Sequence, residues 1–94
     1  MIQSFKNEET ARVFRGAASR AFPHNILKRA RRKLLMLHVS EKLEDLRIPP
    51  GNRLEALQGN RRGEHSIRIN QKWRICFVWK EDGPYQVELS NHYE

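Results

Sequence analysis

Apolar positions recur along this chain in two different rhythms. Before Pro49-Pro50-Gly51-Asn52 they return every three or four residues, and after it every second residue. The first rhythm predicts helices and the second predicts strands. Asn7 followed by Glu8 and Glu9 is a helix start, because Asn caps free amides and acids suit the positive dipole end. Ala11, Phe14 and Ala18 then share one face. A second helix is expected from near Pro23 to about His38, with Leu27, Ala30, Leu34 and Leu37 as its apolar stripe. Ser40 with Glu41 opens a shorter third helix through Leu46, which the proline pair ends. Ahead of all three, Met1 to Lys6 reads as a first strand.

Beyond the break, Ser66 to Asn70 and Trp73 to Trp79 alternate on either side of a polar link, which predicts a hairpin. Glu81-Asp82-Gly83-Pro84 supplies a second turn, and Tyr85 to Leu89 a further strand. The alternation assigns faces. Ile67, Ile69, Trp73, Ile75, Phe77 and Trp79 form the apolar set large enough to cover two amphipathic helices. Ser66, Arg68, Asn70, Arg74 and Cys76 therefore line the opposite face. Two arginines stand in the middle of a sheet there. The competing expectation is that Arg68 and Arg74 only pair with Glu55, Glu64 or Glu88 across the strands.

Composition narrows the function. The chain has 94 residues with 18 Lys plus Arg against 11 Asp plus Glu, a net charge of +7. This length suits one domain, residues 1–94, with a surface groove rather than a deep cavity as its site. No stretch approaches the roughly 20 apolar residues of a membrane span, and no leader is visible, so a complete, cytoplasmic chain with no membrane partner is expected. Cys76, the single cysteine, makes no intrachain disulfide and fits a reducing compartment. From Thr10 to Ser40 there are eight basic residues and no acidic one. Such a field attracts phosphate polymers or an acidic protein partner.

Familiar catalytic signatures are missing. The chain has no Gly-rich phosphate loop, paired-His metal motif, two-metal carboxylate cluster or Ser nucleophile elbow, so neither a metal nor another cofactor is expected. What remains is a basic sheet face, the link Gly59-Asn60-Arg61-Arg62-Gly63 and a polar end, Ser90-Asn91-His92-Tyr93-Glu94. This inventory suits metal-free RNA cleavage. The 2′-OH is an internal nucleophile, and the protein need only move protons and stabilise a phosphorane.

Pro49 to Leu57, Gly59-Asn60-Arg61, His65 to Asn70 and Lys72 to Phe77 together resemble the HigB toxins of the RelE/ParE superfamily. Pro84 to Tyr93 and the Met1 to Phe5 opening continue the likeness. The resemblance implies an α+β, RelE-like single domain: an N-terminal strand and two to three helices packed on one face of a twisted, mainly antiparallel sheet. It also implies the toxin of a type II toxin-antitoxin pair, a ribosome-dependent, metal-independent mRNA endoribonuclease. Its partners would be the ribosome, mRNA and a HigA-type helix-turn-helix antitoxin, and the free toxin would be monomeric. Two further readings stay open: a ParE-like inhibitor of DNA gyrase on the same fold, and a basic nucleic-acid-binding protein without catalysis.

Roles follow from side-chain chemistry on that frame. Arg74 would stabilise charge on the phosphorane, and His92 would move a proton. Tyr93 would stack on a base or orient the 2′-OH, with Asn91 hydrogen-bonding either. Arg61, Arg62, Arg68 and Lys72 would hold RNA backbone. Glu55 stands among the RNA contacts, where some relatives carry His. Relatives often end in Asp-Tyr-His, and the matching positions here read Asn91-His92-Tyr93. Gln58 matches a position that is Lys in some relatives.

Overall fold

The computed structural model describes residues 1–91. Helix α1, Glu8–Phe14, starts where the Asn7 side chain accepts a hydrogen bond from the Thr10 amide. It buries Thr10, Ala11 and Val13. Ala18 is not on its face. Gly16 turns the chain at φ 81°, and Ala18 lies exposed beyond the helix end. Helix α2, Leu27–Val39, follows a 3-10 turn at His24–Ile26 and buries Ala30, Leu34 and Leu37. In place of a third α-helix the chain forms a 3-10 turn over Leu43–Arg47. The Asp45 carboxylate fixes its start by accepting from the Glu41 and Lys42 amides, and these bonds hold that carboxyl below its ordinary pKa.

Four antiparallel strands form the sheet in the order β1-β2-β3-β4. They span Glu55–Ala56, His65–Arg68, Arg74–Lys80 and Gly83–Ser90. The β2–β3 hairpin is closed by Asn70, whose Oδ1 accepts from the Lys72 and Trp73 amides at 2.8 Å. Gly83 and Pro84, expected in the second turn, are already the first residues of β4.

The N-terminal segment departs from expectation. It runs alongside β4 with amide bonds from Gln3 to Pro84 and from Lys6 to Val87, yet makes only an isolated parallel bridge, Phe5 to Val87. Gln86 explains the break. It sits at φ 55°, outside extended geometry, and its amide donates to the Ser4 hydroxyl rather than to a backbone carbonyl.

Ile67, Ile69, Ile75 and Phe77 join Leu34, Leu37, Val87 and Leu89 in one buried cluster. Trp73 and Trp79 close its rim, half-buried, with Trp73 edge-on to Phe22 at 5.5 Å. Alternation thus assigns the apolar face correctly. The opposite face is not open, however: Ser66, Arg74 and Cys76 are buried as well. A buried polar group must be satisfied, so this face is organised by hydrogen bonds and ion pairs.

Candidate functional site

Arg74 opens β3 and centres the polar face, its side chain 6% exposed. Its Nε donates to Ser66 Oγ at 2.7 Å, and its Nη2 donates to the Arg53 carbonyl at 2.8 Å. Register explains the first contact. Arg74 stands directly opposite Arg68 and Ser66 opposite Cys76, so the long guanidinium reaches its diagonal neighbour. Arg53 takes a left-handed conformation, φ 47°, as it leaves the Pro50–Asn52 turn. Glu55 Oε1 lies 3.4 Å from Nη2, with its own side chain 51% exposed. The expected cross-strand pairing of Arg74 therefore exists. It leaves a fixed, always-charged guanidinium beside an exposed carboxylate at the sheet surface.

A second charged group lies further along the same face. Arg61 Nη1 contacts Glu64 at 2.8 Å and Glu88 at 3.0 Å, and Lys6 meets Glu88 at 3.2 Å. Arg61 also donates to Ser90 Oγ at 3.4 Å. Burial opposes the Arg61 charge, but the Glu88 hydrogen bond and nearby negative charges raise its pKa. Arg61 is thus committed to acids within the protein, whereas Arg62 and Lys72 are exposed. Cys76 lies between Arg61 and Arg74 in this network. Burial is the main cause that pushes its thiol up to about 11.

The structure brings together some of the expected site residues and separates others. Arg74 and Glu55 meet directly. Ser90 pairs with Arg74 in register, and exposed Asn91 follows it. Arg68 turns away: its Nε donates to the Asn70 carbonyl, and its side chain lines a groove with residues of α2. His92 and Tyr93 lie outside the described residues. Among the described residues, no group of three His, Cys, Asp or Glu side chains could hold a metal ion. No described helix is long and apolar enough to cross a membrane.

Two contributors escaped the sequence reading. Alternation places Ser66 on the polar face without giving it a role, although its position two residues before Arg68 contains the diagonal. Arg53 acts on Arg74 through its backbone carbonyl, which no residue type signals.

This geometry can be set beside known proteins. Residues 3–92 match the family model described as HigB-like toxin, RelE-like toxin of type II toxin-antitoxin system HigB. Toxin HigB-1 of Vibrio cholerae serotype O1 is 41% identical over 73 residues, which cover 78% of this chain and 77% of that protein. An uncharacterized protein of Haemophilus influenzae is 31% identical over 91 residues, 96% of this chain and 90% of its own length.

Proposed function

Since the chain belongs to the HigB-like family of RelE-like toxins of type II toxin-antitoxin systems, we propose that it acts as a metal-independent endoribonuclease on ribosome-bound mRNA. The observation that carries this reading is Arg74, held by Ser66 and the Arg53 carbonyl beside an exposed carboxylate. A guanidinium fixed before substrate arrives needs little reorganisation when charge develops on a phosphorane.

In the proposed reaction the 2′-OH loses its proton and its oxygen attacks the adjacent phosphorus. The P–O5′ bond breaks, leaving a 2′,3′-cyclic phosphate and a protonated 5′-oxygen. Arg74 stabilises the charge that accumulates between these events. His92 carries the proton transfer, with Tyr93 and Asn91 orienting the 2′-OH or the base. Glu55 accepts hydrogen bonds only, so its RNA contact is to a hydroxyl or amino group rather than a phosphate. Arg62, Arg68 and Lys72 hold backbone, and Arg61 adds its remaining donors. The ribosome supplies positioning that a small, shallow site lacks.

The remaining assignments follow the family. Residues 1–94 form one toxin domain whose helices cover one face of the sheet, and the toxin is cytoplasmic and monomeric until a HigA-type antitoxin binds it.

Induction of the chain in a bacterial host tests the reading. Growth should stop with loss of translated mRNA, and Arg74→Ala should relieve the arrest by lowering cleavage about 10²-fold or more. Arg74→Lys keeps the charge but not the two-armed geometry, and should also fall well below the parent. Arrest of equal strength from both variants would sink the assignment of Arg74.

A further inference from the structure

Helix α2 carries its basic residues on more than one side. With Ala30, Leu34 and Leu37 in the core, the helical repeat sets Arg29, Lys33 and Met36 to one flank. It sets Lys28, Arg31 and Leu35 to the other. The first flank, the turn carrying Gly51 and Arg53, and the β2–β3 hairpin enclose a groove of about 640 Å³. Arg29, Arg32, Lys33, Arg53 and Arg68 line it, and no acidic residue does among the described residues.

Three of these five cations are held by neutral groups. Arg29 Nη1 donates to the Ile69 carbonyl at 3.3 Å, Arg68 Nε to the Asn70 carbonyl at 3.1 Å, and Lys33 Nζ to Asn52 Oδ1. Among the described residues none of the five pairs with a carboxylate, in contrast to Arg61 and Arg74 on the sheet face. The convergence is unfavourable in itself: burial, then the charges of Arg29 and Arg32, hold the Lys33 ammonium below its ordinary pKa. An anion in the groove relieves that repulsion. Its lining includes Met36 and Ile69, and no aromatic ring lines it among the described residues. The groove thus suits phosphates better than stacked bases.

We propose that this groove is a phosphate track for single-stranded RNA, set apart from the Arg74 site but joined to it through Arg53. Arg53 lines the groove, and its carbonyl holds Arg74. This inference rests on the RNA-cleaving reading, because RNA is the polyanion that reading brings to the protein. The track fixes register along the strand and carries no base preference.

Binding without cleavage provides the test. The affinity of the whole chain for a short single-stranded RNA oligonucleotide is followed by fluorescence anisotropy across a salt series, alongside circular dichroism of each variant. Arg32→Ala removes a cation for which no hydrogen bond is seen among the described residues, so the fold should be kept. It should reduce the slope of log K against log salt by about 0.7, and Arg32→Ala with Arg68→Ala by about 1.4. Arg20→Ala carries the same charge change on an exposed residue outside the groove and should leave the slope within error of the parent. Equal changes from Arg32→Ala and Arg20→Ala would mean a diffuse field and overturn the track. No change from either arginine variant would also overturn it and leave the groove to an acidic protein partner. The two readings separate cleanly. A slope change in a chain that cleaves no mRNA keeps the track and removes the nuclease. Arg74-dependent cleavage with unchanged slopes does the reverse.

Discussion

Arg74 shows how a single side chain becomes a site. Its charge is permanent, so what the fold adds is position, through one bond to Ser66 and one to the Arg53 carbonyl. Ser66 is a positioning residue on this account. Ser66→Ala should lower cleavage about tenfold, mainly in turnover rather than in RNA affinity, while Ser66→Thr keeps the acceptor oxygen and should recover part of the loss. Single-turnover rates measured beside RNA affinity would show the split. Cys76 gives a pH prediction. Its folded-state pKa is raised from the ordinary 9.0 to about 11, so the folded protein holds this proton more tightly than the unfolded chain. The resulting stability is full below about pH 9 and is lost as pH rises toward about 11. Denaturation midpoints should fall across that window in the parent and fall less in Cys76→Ala. A thiol reagent at neutral pH should label the unfolded protein and spare the folded one. The place of Arg74 on the polar face is legible from alternation alone, whereas Arg68, expected beside it, turns to the groove against α2. The contribution of Arg53 was not legible, because it is made by a carbonyl whose direction depends on a left-handed turn.

At the scale of elements, local signals were read well and long-range ones poorly. Asn7 was legible as a cap because capping depends on the next three residues. Asn7→Ala should cost about 1 kcal/mol. Asn52 was read as part of a helix-stopping turn, yet it is fully buried. Its Nδ2 donates to the Leu46 carbonyl at 3.1 Å and its Oδ1 accepts from Lys33, so it ties α2 to two turns. Asn52→Ala strands buried polar groups and should cost about 2 kcal/mol or more, a larger loss than at Asn7. Thermal melts of the two variants should rank them in that order, at roughly 4–8 °C per kcal/mol. The N-terminal strand failed for a reason in β4: Gln86 adopts a positive φ that period-two alternation does not reveal. Ala18 was misplaced because the α1 pattern was carried past Gly16, where the chain turns.

For the whole molecule, the charge pattern was visible in the sequence but its geometry was not. The basic segment from Thr10 to Ser40 and the later arginines read as separate features along the chain. Folding joins them where Arg29, Arg32 and Lys33 of α2 meet Arg53 and Arg68. The sheet face meanwhile pairs its cations internally, Arg74 with Glu55 and Arg61 with Glu64 and Glu88. On the proposed reading, attraction and chemistry fall to neighbouring but different surfaces. The proposed reaction rests on 2′-OH attack at a site centred on Arg74, and the ends of the cut RNA report that chemistry directly. Purified chain added to translating ribosomes should give fragments whose 3′ ends are cyclic phosphates, abundant with the parent and reduced about 10²-fold or more with Arg74→Ala. Fragments ending in 3′-hydroxyls, or mRNA left intact while growth still stops on induction, would contradict the account.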